Sequence, residues 1–384
     1  MTPAARTQAA IELLDSIVAA AEQGGAAADT LIARYFAARR YAGSKDRRAV
    51  RELVYAAIRA LGERPASGRA ALVTIARQDA ALAATFDGSA HGPAPIADEP
   101  AAAPGVLPRW LAERLAASGL DPAEQAALVE RAPLDVRVNP LRGELPVIEG
   151  AAPIAGLPDA RRLPAGTDLA PYAGLVEAQD AGSQAVTLAA GAAPGMTVLD
   201  LCAGAGGKSL ALAAAMANQG RIIASDVDRA RLARLAPRAE RAAARIIEPL
   251  LLDGGREAAA LAGVRADIVF VDAPCSGSGT WRRNPEARWR LTPERLERYA
   301  AMQRHVLALG APAVRPGGAL VFVTCSLLDA EGADQVELFL ADHPGWSAEP
   351  LALPFGRARG RGVRLTPAHD GTDGFFVARL RAPC

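Results

Sequence analysis

The 384-residue sequence predicts an α/β fold: a doubly wound, mostly parallel sheet, preceded by an all-α domain and a small α/β region. Three observations carry this. From about residue 176, short β-branched apolar runs alternate with Ala/Leu/Arg-rich helical segments, the pattern of a parallel sheet covered on both faces. In the first 85 residues the apolar residues recur at helical spacing instead. Between the two regions, "FDGSAHGPAPIADEPAAAPGVL" (86–107) has the Pro, Ala and Gly content of a linker.

In order, residues 1–85 read as a helical domain. Ile11, Leu14, Ile17 and Val18 share one helix face, and Leu53, Val54, Ala57 and Ile58 share another. Between them, residues 34–52 carry Arg34, Arg39, Arg40, Lys45, Arg47, Arg48 and Arg51 against only Asp46 and Glu52. Such a run is either a solvated helix face or a phosphate-contacting patch. Residues 86–130 hold the linker and two connecting helices, "PRWLAERLAASG" and "DPAEQAALVERA"; Asp121 is the N-cap of the second and Pro122 its first residue. Residues 131–175 read as a small α/β extension that opens on the strand-like "LDVRVNPLRG" and continues as loop. Residues 176–384 hold the sheet. Its strands are "MTVLDLC", "GRIIASDVD", "ADIVFVDAPC" and "GALVFVTCS", separated by helical segments of twelve or more residues. Ligands of such sheets bind at the carboxyl ends of the strands.

Composition narrows the function classes. Net charge is +1, so any basic surface is local. Lys45 and Lys208 are the only lysines, and four cysteines (Cys202, Cys275, Cys325, Cys384) and four histidines are widely spaced. That is neither a disulfide framework nor a metal-ligand pattern, and it fits a reducing compartment. The first residues lack a basic n-region, and no uncharged run reaches transmembrane length. The expectation is a cytoplasmic monomer with no metal.

"VLDLCAGAGGKSLALAAAM" (198–216) is strand, glycine-rich turn, helix. A dinucleotide fingerprint starting at Gly204 would need Gly or Ala at Ser209. A P-loop ending in Gly207-Lys208-Ser209 would need Gly at Cys202. Each fails by one residue. The remaining reading is the turn of S-adenosyl-L-methionine-dependent methyltransferases, whose glycines let backbone approach the amino-acid end of the cofactor. Asp226, at the end of the next strand, can accept the ribose hydroxyls; Asp253 can meet the adenine amine. Asp228 reads as a helix N-cap.

Two thiols close two apolar strands, in "DAPC" (272–275) and "TCS" (324–326). Methyl transfer to C5 of a pyrimidine needs a thiolate to add at C6 and make C5 nucleophilic. It also needs a carboxylate to steady the ring, for which Asp272 is placed, and a route for elimination. One buried Cys is more often a core residue; two, each at a strand end beside a methyl-donor turn, point to catalysis. Cys202 reads as structural, and the residues alone leave open which of Cys275 and Cys325 attacks.

"CAGAGGK" (202–208), "DAPCSGSGT" (272–280), "TCS" (324–326) and "GTDGFFVARL" (371–380), with "RVNPLR" (137–142) and "EAQDAGSQAV" (177–186) upstream, resemble in order the motifs of the Sun/NOL/NSUN RNA 5-cytosine methyltransferases. The likeness covers roughly residues 130–384. "GSKDRRAVRELVYAAIRAL" (43–61) is similar, more loosely, to the NusB-like RNA-binding domain of the bacterial RsmB branch, which methylates a cytosine of small-subunit ribosomal RNA. The resemblance implies a Rossmann-like class I methyltransferase domain, an RNA-binding role for residues 131–175, and methylation of an unpaired or flipped cytosine. It makes Cys325 the nucleophile and Cys275 the thiol that assists product release. The cofactor positions it implies are Cys202, Ala203, Gly204, Ala205, Gly206, Gly207, Lys208, Asp226, Asp253 and Asp272; Lys208 would also reach substrate or the catalytic centre. Many members carry proline where this chain has Ala205, which loosens the turn there.

On the substrate side, "WRRNPEARWR" (281–290) interleaves Arg282, Arg283, Arg288 and Arg290 with Trp281 and Trp289. It reads either as phosphate contacts plus base stacking or as a loop packed on its own tryptophans. With Arg39, Arg40, Lys45, Arg47 and Arg48, Arg282 and Arg283 complete the expected RNA-binding set. The rival functions are the same chemistry on tRNA, a non-catalytic ribosome assembly factor, and amine methylation.

Overall fold

The computed structural model describes residues 1–144 and 147–384 and divides the chain into two compact units. One comprises residues 1–131 together with 280–292; the other comprises 132–279 and 293–384. Leu145 and Pro146, in the loop-rich part of the expected extension, lie outside the described residues.

The first unit is helical, with α1 (Pro3–Gln23), α2 (Ala28–Ala37), α3 (Ser44–Ala60), α4 (Gly68–Ala76), α5 (Ala80–Ala83), α6 (Arg109–Ala117) and α7 (Pro122–Ala127). Thr2 caps α1 by accepting the Ala5 N–H at 3.1 Å, and Gly24, in the left-handed region at φ 78°, ends it. Asp121 and Glu124 form a capping box on α7. Leu13, Leu14 and Ile17 of α1 pack with Val54, Ala57 and Ile58 of α3 in one core, each large side chain contributing roughly 1.5–3 kcal/mol of burial. Residues 86–103 hold no helix or strand; Arg69 of α4 donates to the carbonyls of Ala94 and Pro95, and Phe86 joins the helical core.

Segment 281–290 departs from the expected substrate loop. It belongs to this helical unit and supplies polar groups to three helix ends. Arg288, fully buried, donates to the carbonyls of Ile58 (2.7 Å) and Leu61 (2.6 Å) at the end of α3, and to Pro285. Arg290 donates to Ala20 (3.3 Å), Gly25 (2.7 Å) and Ala26 (2.6 Å) past the end of α1. Glu286 accepts the Ala28 N–H that opens α2 at 2.9 Å. Helix termini leave backbone groups short of internal partners; here a remote segment adds donors, although the Ala20 and Ile58 carbonyls also accept the Gly25 and Leu61 N–H groups. Trp289 joins the helical core and donates to the Gly62 carbonyl at 3.1 Å. Trp281 and Arg282 are buried too. Stacking of an extruded base on either tryptophan, and a phosphate contact from Arg282, are therefore corrected: these side chains face protein, not solvent.

The second unit carries two sheets. β1 (Leu134–Val138), β2 (Ala152–Ile154), β3 (Leu157–Leu163) and β4 (Val176–Ala178) form a small antiparallel sheet in the order β2-β3-β1-β4, where the sequence reads mostly as loop. The large sheet contains β5 (Thr197–Asp200), β6 (Arg221–Asp226), β7 (Ile247–Leu251), β8 (Ala266–Asp272), β9 (Val314–Thr324), β10 (Ser347–Glu349), β11 (Arg357–Arg359), β12 (Gly362–Leu365) and β13 (Phe375–Arg381). Its order is β11-β12-β13-β9-β8-β5-β6-β7, with β10 pairing β13. The β9-β8-β5-β6-β7 part is parallel, and β13 runs antiparallel to β9. Ile268, Val269, Phe270 and Val271 of β8 are all buried, as a central strand covered on both faces requires.

α8 (Ala181–Leu188), α9 (Gly207–Ala215), α10 (Arg229–Leu232), α11 (Leu235–Arg241), α12 (Glu257–Leu261), α13 (Pro293–Gly310), α14 (Ala333–Asp342) and α15 (Pro367–Asp370) accompany the sheets. Several are shorter than the expected twelve residues. Pro237 has no N–H to give the Ala233 carbonyl, and the break between α10 and α11 falls there.

Candidate active site

The carboxyl ends of β5, β6, β8 and β9 meet in the second unit, and the expected turn opens α9. Gly204 (φ 56°) and Gly206 (φ 82°) occupy the left-handed region, and a Cβ would run into Arg231 at the first and Leu235 at the second. Gly204 donates its N–H to Asp226 Oδ2 at 2.7 Å, and Asp228 donates to Oδ1 at 2.8 Å. Ala203 donates to the Ser225 carbonyl at 2.9 Å. At Ala205, where proline would stiffen the turn, Arg238 donates to the carbonyl at 2.6 Å and pairs with Glu177 at 2.7 Å. A guanidinium from α11 thus holds the turn that the sequence leaves loose. Asp228 caps α10 through the Arg231 N–H, as expected.

Below the turn, Asp200 is fully buried and accepts the Ser209 hydroxyl at 2.6 Å. Among the described residues its other oxygen has no hydrogen-bond partner. Burial raises its carboxyl to about 7; the Ser209 hydrogen bond opposes the rise, while Asp272 adds to it. Burial also pushes the Cys202 thiol up, with help from the charges of Asp200, Asp272 and Asp226. The sequence singles out neither Asp200 nor Ser209, although an acid closing an apolar strand is the signal that would have marked Asp200.

Lys208 extends from the first turn of α9 to Asp272 Oδ2 at 2.7 Å, over the Phe375 ring of "GTDGFFVARL". Burial alone would lower its pKa, but Asp272, Cys325 and Asp200 together hold it above the usual value. It is a cation beside the thiols.

Cys275 Sγ and Cys325 Sγ stand 3.4 Å apart. The parallel β8–β9 register pairs Asp272 with Val323, and the Ala273 N–H donates to the Val323 carbonyl at 2.9 Å. Both thiols are half-buried. The hydrogen bond with Cys325, then burial, then the charges of Cys325 and Glu331 raise the Cys275 thiol. Gly279 donates to the Cys325 carbonyl at 2.9 Å and accepts from the Gly374 N–H at 2.8 Å, so the three motif segments lie in hydrogen-bonded sequence. Any side chain at Gly279 would overlap the Gly374 carbonyl.

The structure thus brings together Cys325, Cys275, Asp272, Lys208 and residues 202–207, with Asp226 at the end of β6. Asp253 follows the end of β7 and is exposed. Arg39, Arg40, Lys45, Arg47 and Arg48 lie in the helical unit.

The sequence profile of the 16S rRNA methyltransferase RsmB/F family matches residues 187–381. The chain belongs to the RsmB/F methyltransferase family. A ribosomal RNA small subunit methyltransferase B of Xylella fastidiosa (strain 9a5c) is 36% identical over 289 residues, covering 71% of this chain and 68% of its own length. A probable ribosomal RNA small subunit methyltransferase B of Synechocystis sp. is 36% identical over 270 residues, and the match spans 65% of this chain and 60% of that relative. Among solved structures, PH0851 covers 99% of both chains at a TM-score of 0.75 and 24% identity. NSun6 from Pyrococcus horikoshii, solved with SFG, covers 71% of this chain and 98% of its own at a TM-score of 0.62 and 19% identity. Both share the Rossmann-like methyltransferase fold with this RsmB/F member.

S-adenosyl-L-methionine is the cofactor this methyltransferase family brings, and the residues fit it. A Cβ at Gly207 would meet nothing within 4 Å, so space lies open where α9 begins. Each Asp226 oxygen takes one backbone N–H, which leaves lone pairs for two ribose hydroxyls. Among the described residues, no cluster of ligand side chains could hold a metal, and no helix is long and apolar enough to cross a membrane.

Proposed function

We propose that this chain methylates C5 of a cytosine in RNA, the RNA being that of the small ribosomal subunit, through a covalent bond between Cys325 and C6. The observation that supports this most is the pair of thiols 3.4 Å apart beside the Lys208–Asp272 ion pair. Amine or oxygen methylation has no use for two such thiols. The names of the relatives support the ribosomal substrate.

When bound, S-adenosyl-L-methionine supplies an electrophilic methyl group. Residues 202–207 and Asp226 would hold it, with Asp253 at the adenine. Cys325 Sγ adds as a thiolate to C6, and the electron pair moves to C5, which becomes nucleophilic. Asp272 steadies the ring nitrogen or amine, and Lys208 holds Asp272. Once C5 carries its methyl group, a base takes the C5 proton, the C–H electron pair restores the C5–C6 double bond, and Cys325 leaves as a thiolate. Cys275 assists this release. The charges favour that division of labour. The Lys208 cation lies within Coulombic reach of Cys325, whereas the Glu331 carboxylate opposes ionisation of Cys275.

Bisulfite sequencing of total RNA from cells with and without the protein tests the reaction. One ribosomal cytosine signal should vanish without it; a lost tRNA signal would reassign the substrate, and an unchanged map would sink the reading. Roles are tested on denaturing gels with RNA and cofactor. Cys275→Ala should accumulate a stable protein–RNA adduct and Cys325→Ala should form none; the reverse result exchanges the two roles.

A further inference from the structure

Glu331 lies in the short turn Asp329–Glu331 between β9 and α14 and is fully buried. Its Oε1 accepts the Ser276 N–H at 2.8 Å, and its Oε2 accepts the Ser326 hydroxyl at 2.6 Å. Ser276 directly follows Cys275, and Ser326 directly follows Cys325. Gln303 of α13, also fully buried, donates to Oε1 at 3.2 Å and to the Pro274 carbonyl at 2.9 Å. Cys275 is therefore held through both of its chain neighbours, and Cys325 through the residue that follows it.

The serines close the network. Ser326 Oγ lies 3.1 Å from Ser278 Oγ, and Ser278 Oγ accepts the Leu327 N–H at 2.9 Å. The acceptors and donors thus belong to the two thiol-bearing loops and to the helix that reaches Pro274. A buried carboxylate is costly, and a packed apolar side chain would serve stability better. What the carboxylate does that an apolar residue cannot is tie two backbone segments to one pair of oxygens.

We infer that Glu331 is a positioning residue for methyl transfer: by binding Ser276 and Ser326 at once, it sets the separation at which one thiol can release what the other has bound. The inference rests on the function proposed above. It needs no contact between Glu331 and the reacting atoms. It does need the two loops to move apart when the carboxylate is lost, and a misplacement of about 1 Å can cost on the order of 100-fold in rate.

The test compares the full chain with Glu331→Gln, which keeps the size but turns one acceptor into a donor, and with Ser326→Ala, which removes a single hydroxyl. Methyl transfer to RNA should show kcat lower by about 10–100-fold in Glu331→Gln. KM for S-adenosyl-L-methionine should stay within about twofold, because among the described residues the hydrogen bonds of the Gly204 N–H and the Asp226 carboxylate run to each other and to Asp228, not to this network. A second readout needs no catalysis. Diamide takes two electrons and two protons from the thiols, forms a Cys275–Cys325 disulfide and becomes its hydrazine. The linked peptide, followed by mass spectrometry, should form about tenfold more slowly in both variants, since disulfide closure demands a narrow geometry.

If both variants keep the wild-type kcat and linking rate and lose only thermal stability, the inference is overturned. Should Glu331→Gln not fold, Ser326→Ala alone decides the matter by the same two readouts. If the wild type transfers no methyl group to cytosine, the function has failed, and the diamide rates still decide whether Glu331 spaces the thiols.

Discussion

Asp200 shows how much a single buried carboxyl can matter near the reaction. Among the described residues its carboxyl has one hydrogen bond, from Ser209, and one oxygen without a partner. Its folded-state pKa, raised to about 7 by burial, lies above the ordinary carboxyl value of the unfolded chain. The native state therefore binds its proton more tightly. The stabilisation is full below about pH 4 and is lost as the pH rises through 7. Asp200→Asn keeps an acceptor for Ser209 and cannot ionise. Its unfolding free energy relative to wild type should rise between pH 5 and pH 8, by an amount on the order of a few kcal/mol, with the midpoint rising in step. Parallel midpoints across that range would show that Asp200 keeps an ordinary pKa. In sequence this residue is one more acid at a strand end. Its burial, and that of Glu331 six residues past Cys325, depends on which distant segments cover it, which spacing does not record.

Segment 281–290 carries the same lesson for an element. Arginines interleaved with tryptophans suit phosphates and stacked bases, and local chemistry cannot exclude that use. In the fold, the acceptors are backbone carbonyls at and just past the ends of α1 and α3, where helices run short of internal donors and another part of the chain supplies them. Burial lowers the Arg288 pKa to about 9, an expense that the carbonyls of Ile58, Leu61 and Pro285 offset. Arg288→Met retains bulk but takes this donor from those carbonyls. It should destabilise the helical unit by about 1–3 kcal/mol, read as a lower midpoint for the helical circular-dichroism signal. An unchanged midpoint would mean that the segment is not integral to that unit. By contrast, the strands "MTVLDLC", "GRIIASDVD", "ADIVFVDAPC" and "GALVFVTCS" were legible because a buried parallel strand is apolar on both faces. Of the small sheet, β1 was legible in "LDVRVNPLRG" but β2 and β3 were not: they include exposed Ala152, Pro153, Pro158 and Asp159, and draw their order from pairing.

At the scale of the molecule, a net charge of +1 conceals a local excess of positive charge. Within 34–52 the structure separates committed cations from free ones. Arg39 pairs with Glu12 at 3.3 Å and covers the Tyr35 ring at 3.6 Å; Arg47 donates to the Ala42 carbonyl at 2.8 Å. Asp46, which could neutralise its neighbours, is instead bound by the N-terminal amine and Arg6. Arg40, Lys45 and Arg48 are exposed, and among the described residues none has an ion-pair partner; exposed Tyr41 stands beside them in sequence. Of the expected set these three are the cations available to phosphate, and Arg34, also exposed and among the described residues without an ion-pair partner, lies in the same run. Replacing all three with alanine should raise KM for RNA and lower the slope of log affinity against log salt by about 2, since each single-strand phosphate contact contributes about 0.7. Replacing Arg39 or Arg47 should move that slope less and lower thermal stability more, because their charges already serve the fold. Filter binding across a salt series distinguishes the two classes. If the triple variant keeps the wild-type slope, RNA does not dock on this face, and the basic run is a solvated surface.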